Sequence, residues 1–203
     1  MRILITSFGP FNNFKTNPSN QIMEIVREKT KLFSPKNNYY EFETIDVSWS
    51  SVSKFINEKK DGLYDLIIHL GVATNENKMR IEIMGRNVQS GNDVENIKPN
   101  ENQIIKNASD LKTNIPMEIL NDFVSKNDFI ELSHNAGSFL CNYIYFKSLY
   151  AFKKNSLVLF IHTADNQNKP KSPNLEYQAD KIFNLIEILT NKNNHKNNSL
   201  TIS

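Results

Sequence analysis

Two short runs of almost continuous apolar residues limit the fold more than any other feature of the sequence. They are residues 66–70 (LIIHL) and 157–161 (LVLFI). A strand of this kind is buried on both faces, as in parallel sheets that carry helices on each side. The sequence therefore predicts an α/β fold with a mostly parallel central sheet.

The rest of the chain alternates β-type runs with amphipathic segments. Strands are predicted at 2–7, 41–47, 65–70, 78–84, 129–132 and 157–162. Helices are predicted at 19–29, 49–58, 117–126, 139–153 and 175–189. Residues 88–114 show no clear period, which predicts a long excursion or lid. We expect one domain over residues 1–190 and a polar, disordered tail over 191–203.

Composition and charge exclude several classes of protein. The 24 Lys and Arg residues are balanced by 22 Asp and Glu residues, and no basic segment is interleaved with aromatics, which argues against nucleic-acid binding. No apolar run reaches the roughly 20 residues of a membrane helix, and the first ten residues lack the pattern of a signal peptide. We expect no membrane partner and a cytoplasmic location.

Cys141 is the only cysteine of the sequence, which excludes an internal disulfide and fits a reducing compartment. It lies just inside the start of the helix predicted at 139–153. Backbone N–H groups in a first helical turn favour a thiolate and can also hold an oxyanion. Because a lone cysteine is more commonly a small buried apolar residue, both interpretations stay open on this evidence.

A thiolate nucleophile needs a base, and a histidine at the carboxyl end of a neighbouring strand suits that role. His162 ends one apolar run, and His69 lies near the end of the other. Either could serve, and either could instead be a structural histidine. His134 lies on the loop before the cysteine-bearing helix, and His195 lies in the polar tail.

Glu82 is the third candidate, on the strand predicted at 78–84. Alternation places Ile81 and Ile83 on one face of that strand and Arg80 and Glu82 on the other. On periodicity alone, the simpler interpretation of Glu82 is a solvated surface pair with Arg80, worth at most about 1 kcal/mol.

Six motifs, taken in order along the chain, resemble those of pyroglutamyl peptidase I, the pyrrolidone carboxyl peptidases. They are Ser7-Phe8-Gly9-Pro10-Phe11, Asn17-Pro18-Ser19, Gly71 after Ile67-Ile68-His69-Leu70, Ile81-Glu82 with Asn87, Ala136-Gly137-Ser138-Phe139-Leu140-Cys141-Asn142-Tyr143, and Phe160-Ile161-His162. The resemblance runs from residue 1 to about residue 190. It implies a three-layer α/β/α sandwich.

The resemblance also implies roles for individual residues. Glu82, Cys141 and His162 are similar to the family's catalytic triad: the thiol attacks the acyl carbon, the imidazole moves the proton, and the carboxylate orients the imidazole. The positions that match the family's pyroglutamyl-binding residues are Phe8, Phe11, Asn17, Val72, Phe139 and Leu140. The implied substrates are peptides with an N-terminal pyroglutamate, hydrolysed without a metal or cofactor. The implied assembly is a monomer or a homo-oligomer, either a dimer or a tetramer.

Four segments depart from the family pattern, and all are expected to border the substrate. They are Asn12-Asn13 in place of two glycines, the loop 72–77 (VATNEN) in place of a Gly-rich one, the segment 91–96 (GNDVEN) without the usual arginine, and Thr163-Ala164 in place of Val-Pro. These departures keep an alternative open, in which the chain retains the triad but acts mainly as a binding or regulatory protein, or on another small acyl amide.

Overall fold

A six-stranded sheet lies at the centre of the part of the chain that the computed structural model describes, which is residues 1–11, 16–74, 76–165 and 171–199, with side chains described as far as 191. The elements in chain order are β1 (Arg2–Phe8), α1 (Pro18–Phe33), β2 (Tyr39–Ile45), α2 (Trp49–Lys59), β3 (Leu66–Ala73), β4 (Met79–Glu82), β5 (Met84–Gly85), β6 (Leu111–Lys112), α3 (Met117–Ser125), β7 (Ile130–Ser133), α4 (Leu140–Phe152), β8 (Leu157–Ala164) and α5 (Leu175–Ser199).

The strand order of the sheet is β2-β1-β3-β8-β4-β7. The first four strands are parallel to one another, β4 runs antiparallel to β8, and β7 is parallel to β4. The two apolar runs 66–70 and 157–161 lie in the adjacent central strands β3 and β8, both of which are almost entirely buried. The prediction of an α/β fold with a mostly parallel sheet is confirmed.

Helices cover both faces of this sheet. Side chains alternate along each strand, so each face presents apolar residues that a layer of helices buries. On one face Ile3 and Ile68 belong to the core that contains the buried residues of α1, α3 and α5. On the other face Leu4 and Phe160 belong to the core that contains those of α2 and α4. Helices, sheet and helices therefore form the three layers that the family resemblance implies.

Several boundaries differ from the predictions by a few residues, and two of the differences change how the chain continues. The strand predicted at 78–84 ends at Glu82, and the chain then forms β5, which pairs with β6 in a separate two-stranded ribbon. The helix predicted to end at 189 continues as α5 to Ser199, so residues 191–199 are helical backbone where a disordered tail was predicted. Extending an existing helix by one residue costs far less than starting one, and the polar sequence offers no Gly or Pro to stop it. Residues 200–203 lie outside the described part.

The predicted excursion at 88–114 packs along α4. Asn142 of α4 accepts the backbone N–H of Arg86 at 2.9 Å and donates to the carbonyls of Arg86 and Val88, each at 2.8 Å. Further along, Ser90 donates its backbone N–H to the carbonyl of Ser138 at 2.7 Å. The first part of the excursion therefore packs against the N-terminal end of α4. Within the described chain, no helix is both long and apolar enough to cross a membrane.

Candidate active site

Cys141 lies in the first turn of α4, directly beside the carboxyl end of β3. The residue before the helix, Phe139, provides no side-chain cap, so the first-turn N–H groups are not bonded by it. A Cβ atom on Gly71 would come within 2.9 Å of the Cys141 sulfur and 2.8 Å of the Phe160 ring. Any residue larger than glycine at position 71 would collide with the thiol of Cys141.

His162 and Glu82 form a buried hydrogen-bonded pair next to this thiol. Their atoms Nδ1 and Oε1 are 2.7 Å apart, and Glu82 is fully buried. The register explains the contact: Glu82 lies opposite Phe160 across the antiparallel β4–β8 pair, so His162, two residues further on, is its diagonal neighbour on the same face. The carboxylate thus orients the imidazole, with Nε2 left for other partners.

The charge state of His162 is set by two opposing effects. Burial lowers its pKa, but hydrogen bonds and charge interactions with Cys141 and Glu82 outweigh burial and raise the pKa to about 9. The imidazole is therefore held protonated near neutral pH. An imidazole held by a carboxylate beside a cysteine is the arrangement that activates cysteine nucleophiles.

His69, the other candidate base, is a core residue. Its Nδ1 lies 2.7 Å from the hydroxyl of Thr6, and its Nε2 lies 2.8 Å from the hydroxyl of Ser148, so both ring nitrogens are engaged. The side chain is completely buried, and burial lowers its pKa to about 3. His69 is neutral and has no free nitrogen to offer Cys141. Of the remaining histidines, His134 is exposed, and the side chain of His195 lies outside the described part.

Burial of His69 predicts a specific acid sensitivity. The unfolded chain binds a proton at this residue near pH 6.5, whereas the folded chain binds it only near pH 3. Between those values unfolding takes up a proton, so His69 lowers the free energy of unfolding by up to about 1.4 kcal/mol per pH unit of acidification. Urea unfolding from pH 4 to 7 should show a shallower pH slope in His69→Gln than in the unchanged chain. Equal slopes would contradict this assignment.

The surface-pair interpretation of Glu82 is wrong. Arg80 instead contacts Glu76 at 2.7 Å and Glu131 at 3.1 Å. Helix α4 covers the face of β4 that carries Glu82, and the hydroxyl of Tyr145 on that helix donates to the Glu82 carbonyl at 2.7 Å. The alternation in the sequence assigned Glu82 to the correct face but did not reveal that this face is buried.

A small pocket adjoins the thiol, and the six residues that the resemblance implied for substrate binding all line it. The lining consists of Phe8, Phe11, Asn17, Val47, Val72, Phe139, Leu140 and Cys141. Its walls are mainly aromatic and aliphatic, with no carboxylate among the lining residues. A flat, uncharged ring is the kind of group that such walls accommodate.

Asn17 lines the pocket with an amide that already has protein partners. Its oxygen accepts from the backbone N–H of Ser19 at 3.0 Å and from the Ser19 hydroxyl at 2.8 Å, which caps α1. Its nitrogen donates to the carbonyl of Gly9 at 3.0 Å. Asn17 therefore shapes the wall next to Phe8 by fixing the start of α1 against the end of β1.

Two residues of the site were missed as site residues at the sequence level. Gly71 lies in the last part of the buried strand β3, and a glycine in a strand is a usable signal for close approach of another group. Val47 carries no such signal, because one apolar residue after a strand looks like any other.

Of the segments that depart from the family pattern, Asn12, Asn13 and Asn75 lie outside the described residues, whereas Thr163 and Ala164 end strand β8 and are fully buried. Among the described residues, no three His, Cys, Asp or Glu side chains are grouped so that they could hold a metal ion.

Comparisons with known proteins point to one family. A family model described as pyroglutamyl peptidase matches residues 1–165. Pyrrolidone-carboxylate peptidase 1 of Saccharolobus solfataricus is 33% identical, and the alignment covers 100% of both chains. Pyrrolidone-carboxylate peptidase of Brachyspira hyodysenteriae is 28% identical over 93% of this chain and 96% of that one.

Solved structures show the same fold. The crystal structure of pyrrolidone carboxyl peptidase from Thermus thermophilus superposes with a TM-score of 0.79 at 20% identity, over 91% of this chain and 98% of that one. A mutant pyrrolidone carboxyl peptidase from the hyperthermophile Pyrococcus furiosus gives a TM-score of 0.79 at 21% identity, over 95% and 99% of the two chains. Since the family model spans most of the sequence and a relative above 30% identity covers all of it, this chain belongs to the pyroglutamyl peptidase family.

Proposed function

We propose that the protein is a cysteine exopeptidase that hydrolyses the amide bond after an N-terminal pyroglutamyl residue. The observation that carries this proposal is the apolar pocket whose lining includes Cys141, with the buried Glu82–His162 pair directly behind the thiol. Family membership supplies the reaction class, and the pocket and pair supply the residues.

Each residue has a defined part in the proposed reaction. The Cys141 thiolate attacks the pyroglutamyl carbonyl carbon, and the oxyanion that forms is held by N–H groups of the first turn of α4. The His162 imidazolium then donates its proton to the departing amine, which leaves a thioester on Cys141. His162, now neutral, takes a proton from water, and the hydroxide releases pyroglutamate. Glu82 stays the partner of Nδ1 throughout, which fixes the orientation of the ring and, when the ring is neutral, its tautomer.

Recognition rests on the absence of charge in the pyroglutamyl ring. The faces of Phe8 and Phe11 suit a flat lactam, and an ammonium placed between them would lose its hydration without gaining a counter-ion. Glu76 is the acid of the neighbouring loop that could supply a counter-ion. It is already engaged by Arg80 at 2.7 Å.

We therefore expect pyroglutamyl amides to be cleaved at least about 100-fold more efficiently than prolyl amides, whose ring has the same size but carries a charged nitrogen. Side-by-side measurement of kcat/KM on the two aminomethylcoumarin amides tests the proposal. Alkylation with iodoacetamide should abolish turnover, because Cys141 is the only thiol.

Two results would reject the proposed function. Tight lactam binding without turnover would indicate a binding or regulatory protein. A preference for the prolyl amide that disappears in Glu76→Gln would show that the pocket selects a cation.

Glu82→Gln should lower kcat on the order of 10- to 1000-fold, because an amide does not impose the same tautomer on His162. Arg80→Gln is the matched control: it lies on the same face of the same strand but contacts Glu76 and Glu131 instead. Steady-state kinetics of the two variants on the pyroglutamyl amide decide the point. Equal, small effects would reduce the triad to a dyad.

The remaining expectations are part of the same proposal. A thiolate nucleophile works in a reducing compartment, which supports a cytoplasmic location. Peptides with N-terminal pyroglutamate are the proposed substrates. A homo-oligomer, as a dimer or tetramer, and a single domain over residues 1–190 stay predictions.

A further inference from the structure

A buried carboxylate outside the triad organises the excursion that approaches the pocket. Asp93 is 8% exposed, and its two oxygens accept three backbone N–H groups. Oδ2 accepts from Trp49, at the start of α2, at 3.0 Å, whereas Oδ1 accepts from Glu95 at 3.0 Å and from Ile97 at 2.9 Å. One side chain thus closes the turn 93–97 on itself and fastens it to another helix.

Further bonds join the same turn to the pocket. The indole N–H of Trp49 donates to the carbonyl of Ile97 at 3.1 Å, and the backbone N–H of Val94 donates to the carbonyl of Val47 at 3.2 Å. Val47 is itself a lining residue. The turn is therefore bound to the segment that forms one wall of the pocket.

The ring of Phe139, another lining residue of the pocket, contacts two parts of this arrangement. The ring of Trp49 packs edge-on against the ring of Phe139, with centroids 5.5 Å apart. Gly91 also lies against the Phe139 ring: its φ of +104° suits glycine, and a Cβ there would come within 3.1 Å of that ring. Ser90 adds a hydrogen bond between its hydroxyl and that of Ser138 at 2.7 Å, next to Phe139.

We propose that Asp93 is a positioning residue for substrate recognition, which sets the place of the Phe139 ring in the pocket by fastening the 90–97 loop to the first turn of α2. This inference rests on the proposed function, because the pocket is taken as the site of the pyroglutamyl ring. Asp93 itself does not touch the substrate, since its oxygens face backbone N–H groups of the loop and of α2.

The ionised form of Asp93 is the one that fits this role. Burial alone raises the pKa of its carboxyl group, but the hydrogen bonds from Trp49, Ile97 and Glu95 bring the pKa below its ordinary value. An amide at this position has one acceptor oxygen, so at least one of the three bonds must be lost in Asp93→Asn.

The first test is steady-state kinetics of the full-length chain on a pyroglutamyl amide. We expect Asp93→Asn to raise KM about tenfold with little change in kcat, because it misplaces a binding wall and leaves the nucleophile intact. Gly91→Ala should act in the same direction through the crowded contact with Phe139. Glu95→Gln is the control: it removes the same charge from an exposed side chain two residues away.

The chain carries its own spectroscopic probe of this loop, since Trp49 is its only tryptophan and is buried. In Asp93→Asn the tryptophan emission should shift to longer wavelength and become more accessible to acrylamide, and in Glu95→Gln it should not change. This measurement does not depend on peptidase activity. Unchanged emission together with unchanged KM would overturn the proposal, and changed emission with unchanged KM would overturn the link to recognition.

A double-mutant cycle tests whether Asp93 acts through Phe139. In a Phe139→Ala background, Asp93→Asn should add little to KM, because the ring that it positions is gone. Full additivity of the two effects would overturn the proposed route.

A binding assay that needs no turnover distinguishes failure of the proposed peptidase function from failure of the proposal for Asp93. The free lactam 2-pyrrolidone should protect Cys141 from iodoacetamide, and protection should need about tenfold more lactam in Asp93→Asn. A chain that binds the lactam but cleaves no pyroglutamyl amide would reject the peptidase and still test Asp93. Absence of protection in the unchanged chain would reject the pocket assignment, and this inference with it.

Discussion

Replacing Cys141 with serine is expected to lower kcat for a pyroglutamyl amide on the order of 10⁴-fold or more. The proposed mechanism needs a thiol here, since interactions with Cys141 and Glu82 raise the pKa of His162 to about 9. A serine hydroxyl in the same place stays neutral, and a neutral hydroxyl is a far weaker nucleophile than a thiolate. The fold should be unaffected, because serine is smaller than cysteine and the residue is only partly buried.

Steady-state kinetics and circular dichroism of Cys141→Ser measure the two halves of this prediction. Cys141→Ala provides the control for trace activity from contaminating enzyme. If either variant keeps more than about one tenth of the activity with an unchanged spectrum, catalysis does not depend on the thiol, and the cysteine mechanism is excluded.

The sheet could be predicted from the sequence because its two central strands are buried on both faces. A short, almost continuous apolar run such as 157–161 is typical of a strand with both faces buried. Its apolar residues therefore predict both a strand and a central position in the sheet. The end of strand β4 was harder to predict, since Ile83 continues the alternation. Its backbone N–H bonds to Ser133 at 2.8 Å, after which the chain leaves the sheet for a second ribbon. Such a change of partner depends on contacts distant in the sequence.

The choice between the two strand-end histidines shows where pattern alone reaches its limit. In the register of β3 and β8, His162 lies opposite Gly71, whereas His69 lies opposite Phe160, two residues deeper in the sheet. The thiol of Cys141 is beside Gly71, so only the outer histidine can reach it. Register is fixed by pairing between strands that are far apart in the sequence, which no local periodicity encodes.

The environment of Glu82 was not predictable for a related reason. Periodicity tells which side of a strand a residue faces, but whether that side meets water depends on which helix packs there. Here α4 covers it, and its Tyr145 bonds to the Glu82 backbone. The buried carboxylate of Asp93 was equally hidden, because its partner Trp49 belongs to a helix that begins 44 residues earlier.

The two histidines therefore give the second large prediction: His162→Ala should lower kcat on the order of 10⁴-fold, whereas His69→Gln should leave kcat close to that of the unchanged chain. His162 is hydrogen-bonded to Glu82, and its pKa is raised by interactions with Cys141 and Glu82, so in the proposed reaction its loss removes the proton donor for the leaving amine. His69 bonds only to hydroxyls of the core, so its replacement should lower the free energy of unfolding instead.

Added imidazole separates a missing proton carrier from a collapsed site. The Ala variant leaves a space beside Cys141 that a free imidazole can enter, and part of the lost rate should return with rising imidazole concentration in His162→Ala but not in Cys141→Ser. Measuring both variants with and without imidazole, alongside urea unfolding of all three, completes the test. Loss of turnover in His69→Gln at full stability, with His162→Ala still active, would mean that the inner histidine is the base and that the register-based assignment is wrong.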